Sequence, residues 1–287
     1  MKKKSAWLAA PFGLWMAIFT LVPIGMVLWF AFTDANGAFT LDNIMAIFAH
    51  DPSRGETLLS DSHVATILYS LWLGFLTTVI CLFVAYPIAF SISRATERVQ
   101  TTMVMLVMLP MWMNFLLRTQ AIKSLLSDSG LLNQFLGLFG FGPIPILNTD
   151  AAIVFGLVYD FLPYMILPLY SVMVKIEKSE IEAAQDLGAN AFQVFRRVLL
   201  PLSVPGILNG ITMVFVPSVS TFVISTILGG SKRNMIGDVI ESMFVGEAPN
   251  MAVGSALSLV LMVLILLSMA LTHLVDKDDH EEGGMMI

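Results

Sequence analysis

Asp160 is an ionisable side chain in the middle of an otherwise apolar run, Ala151–Val174. Ionisable groups in such runs are costly and mark functional sites by default. Tyr164 lies four residues on, Pro163 loosens the helix between them, and Tyr159 is adjacent. With Trp112 these residues offer a carboxylate and aromatic faces, the chemistry that holds a cation. The alternative for Asp160 is a buried hydrogen bond to a neighbouring helix, and for Trp112 plain packing. A second cluster is Glu182-Ala183-Ala184-Gln185-Asp186-Leu187-Gly188, followed after nine residues by Val198-Leu199-Leu200-Pro201. Glu182 and Asp186 share a helix face and can meet basic groups of a partner. Ala183 and Ala184 let another surface approach closely. Catalytic patterns are missing: there is no G-x-x-x-x-G-K-[ST], no H-E-x-x-H and no G-x-S-x-G. The chain is not expected to hydrolyse ATP or to act as an enzyme, and no metal site is expected.

The elements that position these residues are apolar. The chain is 57% hydrophobic and 13% charged, with mean hydropathy +0.82; a water-soluble domain carries about 25% charged residues. Crossing a bilayer takes about 20 apolar residues in a helix. The pattern predicts an all-α, polytopic membrane domain with six transmembrane helices over 6–32, 64–90, 103–126, 151–174, 207–228 and 251–275. The first run is too long for a cleaved signal core. Ten lysines and arginines fall inside and five outside when both termini are cytoplasmic, the orientation that basic residues favour. That places Arg118 outside, and the polar insert 176–205 inside. Cys81 is the single cysteine, which excludes an intrachain disulfide.

The loops carry less. Residues 33–63 form an acidic outer segment, with Asp34, Asp42, Asp51, Glu56 and Asp61 against Arg54; it could attract cations or dock a partner, or be plainly solvated. The acidic tail 276–282 reads as a solvated terminus. Leu131–Leu138 suggests a short amphipathic helix at the membrane surface. In the insert, Ser179 and Glu182 form a capping box, Gly188 stops the helix, and Asn190 with Gln193 starts the next one. Phe192, Phe195 and Leu199 make an apolar stripe. Pro201 and Pro205 are expected to prevent helical continuation, leaving two short helices in an L.

Position for position, the insert resembles the E-A-A-x3-G-x9-I-x-L-P signature of the membrane subunit of binding-protein-dependent ABC importers, with Val198 in place of isoleucine. Leu109-Pro110-Met111-Trp112-Met113-Asn114, Gly156-Leu157-Val158-Tyr159, Leu162-Pro163-Tyr164 and Leu228-Gly229-Gly230 extend the resemblance to the spermidine/putrescine permeases of the PotB type. It implies a type I ABC importer permease fold in the cell membrane. Glu182, Ala183, Ala184, Asp186, Gly188 and Pro201 then belong to the coupling loop that docks on the ATPase. Trp112, Tyr159, Asp160, Tyr164 and Phe222 line the substrate path. Implied partners are a homologous second permease, two copies of an ABC ATPase, an extracytoplasmic polyamine-binding protein and the lipid bilayer, with no nucleic acid. No cofactor is expected in this chain; ATP and Mg are used by the partner ATPase. Polyamine relatives often carry a carboxylate before the Gly-Gly pair, where this chain has Ser225-Thr226. Iron, thiamine or another organic cation are alternative solutes. An ion-driven secondary transporter, with Asp160 as proton carrier, is the alternative of a different class.

Overall fold

A computed structural model of the chain describes residues 2–34, 36–48, 63–140, 142–230, 234–247 and 249–283, side chains at both ends excepted. Asp51, Arg54, Glu56 and Asp61 of the acidic outer segment lie outside the described residues, as do the side chains of the acidic tail. Among the described residues the regular structure is helical, apart from one isolated antiparallel bridge between Thr33 and Phe39. Five helices are long and apolar enough to cross a membrane: Pro11–Phe32, His63–Ser93, Asp150–Met173, Ala191–Ser220 and Met251–Thr272. A bent pair, Glu97–Trp112 with Phe115–Leu138, makes a sixth span when counted as one. The all-α polytopic fold is therefore as the sequence implies.

The chain divides into two units, residues 1–67 with 239–264 and residues 68–238 with 265–287. The first unit holds α1 (Lys2–Phe32). Asn43 closes it, its Nδ2 donating to the carbonyls of Phe30, Ala31 and Thr33, groups that a helix end leaves without donors. The Asp34 carboxylate accepts from the backbone N–H groups of Ala38 and Asn36.

The second unit holds most of α2 (His63–Ser93), then α3 (Glu97–Met108), α4 (Phe115–Leu126), α5 (Leu131–Leu138), α6 (Asp150–Met173), α7 (Lys178–Asp186) and α8 (Ala191–Ser220). Its core is apolar and centred on α6, with Leu157, Met165 and Leu169 packed among Leu73, Cys81, Val214 and Leu228. α8 lies against α6 along Gly206 and Gly210, small residues one turn apart. A Cβ at Gly206 would stand 3.1 Å from the Pro168 carbonyl and 3.2 Å from Leu169 Cα. In lipid no hydrophobic force drives helices together, so this close backbone approach supplies the packing.

The third apolar run, expected as a span over 103–126, is not one straight helix. Pro110 has no N–H for the helix ladder, so the chain tightens into a 3-10 turn over Leu109–Trp112 and then extends at Met113. Asn114 restarts the helix, its side chain accepting from Leu116 N and Leu117 N at 2.9 and 3.3 Å. The two helical arms meet at 94°.

The fifth span also differs from its expected bounds of 207–228. It starts earlier, because α8 runs unbroken from Ala191 and absorbs Pro201 and Pro205. A π-turn over Phe195–Leu199 opens the backbone just ahead of Pro201, so the missing N–H costs little. It ends earlier as well, at Ser220; Thr221 is extended and a second π-turn covers Ser225–Gly229. The last helix runs on to Gly283.

Replacing Gly206 with leucine is expected to force α6 and α8 apart. The cost is about 1–3 kcal/mol, as for overpacked cores. Thermal unfolding of the detergent-solubilised protein measures it. Gly13→Leu is the control and should leave the midpoint unchanged, since a Cβ there meets nothing within 4 Å.

Candidate functional site

Two groups of predicted residues occupy different places. The first is the corner between α3 and α4. Arg118, counted among the outer basic residues, is buried on α4. Its Nε pairs with the Asp160 carboxylate of α6, and its Nη1 donates to the Pro110 carbonyl at 2.8 Å. Thr119 donates to the other Asp160 oxygen at 3.4 Å. One guanidinium thus ties the Pro110 carbonyl, which also accepts from Met113 N at 3.2 Å, to the neighbouring span. Asp160 is 0% exposed. A buried carboxylate persists only when paired and hydrogen-bonded, and Arg118 and Thr119 supply both.

The aromatic residues predicted beside Asp160 do not join it. Trp112 sits at the apex of the corner, 77% exposed, and Tyr159, Tyr164 and Phe222 are exposed too. Tyr164 packs on Phe161, ring centroids 6.1 Å apart. α6 stays helical through Pro163 and Pro168. Phe222 falls in the break that ends α8, and its carbonyl accepts from Thr226 N and Oγ1 at 3.1 and 2.7 Å. No cluster of His, Cys, Asp or Glu able to hold a metal ion occurs among the described residues.

The second group is the insert. Its first helix does not begin with the predicted capping box. The chain is already helical from Lys178, so Ser179 lies inside the first turn and its hydroxyl donates to Glu177 Oε2 at 2.9 Å. Glu182 is left exposed with Asp186 on the face away from the core. The stop at Gly188 is as predicted, with φ +85°. Gly188 N donates to Gln185 O at 2.8 Å and Ala189 N to Ala184 O at 3.0 Å, the two bonds of a Schellman turn. Leu187 projects from that turn and is 90% exposed. Asn190 and Gln193 form the reciprocal cap that starts α8. The expected stripe divides: Leu199 is buried, Phe195 half-buried and Phe192 exposed, with the π-turn shifting the helical register between Phe195 and Leu199. The expected pair of short helices is therefore one, α7, joined to the foot of a span. Pro201 lies exposed on that foot.

The insert seats on a small core of Ile176, Val194 and Leu199, packed with Phe90, Ile181 and Ala184. Beside it an apolar groove of about 590 Å³ is lined by Leu82, Tyr86, Phe90, Ile181, Phe195 and Leu199 among others. None of the aromatic residues predicted for the substrate path lines it.

The family of binding-protein-dependent transport system inner membrane components matches residues 4–278. The chain belongs to this family. It is a multi-pass inner membrane protein of a transport system. Among this permease's relatives is the spermidine/putrescine transport system permease protein PotB of Haemophilus influenzae, 39% identical over 255 residues, covering 88% of this chain and 87% of the relative. PotB of Escherichia coli K12 is 35% identical over 259 residues, 88% of this chain and 90% of the relative. The inner membrane ABC transporter permease protein YdcU of E. coli K12 is 28% identical over 278 residues, 90% and 85% of the two chains. In fold, the permease is similar to a chain in the crystal structure of a bacterial ABC transporter involved in the import of the acidic polysaccharide alginate. The TM-score is 0.74 at 18% identity, over 94% of this chain and 96% of that one. The type I importer fold implied by the insert is the fold observed.

The left-handed turn at Gly188 gives a direct test. Gly188→Val should strain it by about 1–2 kcal/mol, whereas asparagine tolerates such a φ. Limited proteolysis of the purified protein should cut between Asp186 and Asn190 several-fold faster in Gly188→Val than in Gly188→Asn, in line with that cost. Equal rates would mean that the turn is not held by its backbone geometry.

Proposed function

We propose that this permease is the membrane-spanning subunit of an ATP-driven importer of polyamines, spermidine and putrescine. The observation that carries the reading is its identity with PotB proteins, 35–39% over 88% of the chain. The chemistry agrees. A polyamine alternates ammonium groups with methylene stretches, and exposed aromatic faces at Trp112, Tyr159, Tyr164 and Phe222 suit both parts. In this reading Asp160 serves the path without touching substrate: it holds Arg118, which holds the corner that carries Trp112.

The partners follow from the same reading. A second, homologous permease completes the path between the two chains. Two copies of an ABC ATPase use ATP and Mg, and one of them receives α7, with the exposed Glu182, Ala183 and Asp186 facing it, Ala184 packed on the core beneath and Gly188 setting the helix end. Pro201 sits where the insert meets the membrane. Both termini are cytoplasmic. An extracytoplasmic binding protein delivers substrate to the opposite face. ATP binding draws the ATPases together, the docked helices move with them, and the population shifts from inward-open to outward-open. Hydrolysis resets it. Ion-driven transport through Asp160 is disfavoured, since its carboxylate is already committed to Arg118.

Uptake of radiolabelled spermidine and putrescine by cells carrying the whole transporter tests the proposal. ATP-dependent uptake of either is expected. Trp112→Ala should reduce it by about tenfold with the complex still assembled, the worth of a desolvated cation–π contact. Absence of uptake for both polyamines would overturn the substrate assignment and return it to iron, thiamine or another organic cation.

A further inference from the structure

The turn between α2 and α3 is fastened to the turn that leads into α7. Arg94 follows the last residue of α2. Its Nη1 donates to the Ile176 carbonyl at 3.0 Å and its Nη2 to the Met173 carbonyl at 3.4 Å. Met173 ends α6, where carbonyls lack intrahelical donors and a cation is favoured. The guanidinium lies 5.5 Å from the Phe90 ring centroid, and Phe90 packs into the Ile176, Val194 and Leu199 core under α7. A second contact reinforces the first. Gln100 of α3 donates to the Ser93 and Ala95 carbonyls at 3.1 and 3.0 Å, and Tyr170 of α6 donates to Gln100 Oε1 at 3.2 Å.

The turn that leads into α7 therefore cannot shift against the α2–α3 turn without breaking charge-assisted hydrogen bonds. The consequence reaches further, because α3 runs from Glu97 to Met108 and passes straight into the Leu109–Trp112 turn. We propose that Arg94 is a positioning residue for energy coupling: it transmits displacement of α7 to α3, and through α3 to the corner that carries Trp112. The proposal rests on the reading of α7 as the ATPase-docking helix. Only the planar fork of arginine reaches both carbonyls at once; a lysine ammonium holds one.

The experiment uses the complete transporter in proteoliposomes with its binding protein, and reads ATP hydrolysed and polyamine transported together. Arg94→Gln should keep basal ATP hydrolysis and lose about tenfold in polyamine transported per ATP, as expected for loss of charge-assisted bonds. Arg94→Lys should recover part of the loss. Tyr170→Phe removes one hydroxyl from the same fastening and spares the fold. It should lower transport per ATP by about twofold, the scale of one neutral hydrogen bond. Normal transport per ATP in Arg94→Gln would overturn the proposal, and so would an unassembled Arg94→Gln combined with an unaffected Tyr170→Phe. Leu187→Asp separates failure of the docking reading, since Leu187 projects into open space. Loss of ATPase co-purification supports that reading, whereas full retention removes it, and the role of Arg94 with it.

Discussion

Arg118 and Asp160 join two helices that would otherwise have little reason to stay in register. Asp160 belongs to α6, the most buried span, and Arg118 to α4, the second arm of a span bent by 94°. Neither charge could stay at that depth alone. Together they form an ion pair, with Thr119 on the carboxylate and the Pro110 carbonyl on the guanidinium. Pro110 and Asn114 create the bend, and this arrangement fastens it, with Trp112 at its apex, to α6 beside the apolar contacts of Ile122 and Leu126. It also decides what Asp160 can do, because a carboxylate committed to a guanidinium is a poor ligand for a passing ammonium group.

Elsewhere the molecule is held by close approach and by hydrogen bonds that finish helix ends. Gly206 and Gly210 bring α8 onto the backbone of α6. Asn43 closes α1, Asn114 opens α4, Asn190 opens α8, and Arg94 closes α6. Such caps supply the partners that helix ends lack. Asn114 lies at the Trp112 corner, and Asn190 and Arg94 lie beside the two ends of α7. The corner meets the proposed substrate and α7 the proposed ATPase, with α3 running between them.

The all-helical fold and the insert were legible because each rests on local signals. Long apolar runs predict spans, and Gly188 with Asn190 and Gln193 predicts a stop and a start that the backbone confirms. The capping box at Ser179 failed because the helix starts earlier than its serine suggests. The continuity of α8 was hidden by Pro201 and Pro205, which read as breakers until a π-turn absorbs them. The corner had a signal in Pro110 followed by Asn114, a missing donor and then a strong cap. What no local pattern reveals is pairing across the bundle. Arg118 and Asp160 are 42 positions apart, and Arg94 finds carbonyls about 80 residues away. The approach of Gly206 and Gly210 to α6 is likewise a contact between distant segments.

The fastening of the bend by its ion pair is tested most directly by a double-mutant cycle. Asp160→Leu, Arg118→Leu and the double variant would be compared with the unaltered protein by reversible unfolding in detergent. Each single change should cost about 3–5 kcal/mol, because it strands a buried charge. The double change should recover most of that loss, so the effects should be non-additive by more than about 2 kcal/mol. Additive effects, or a single variant as stable as the parent, would contradict the view that this pair holds α4 to α6.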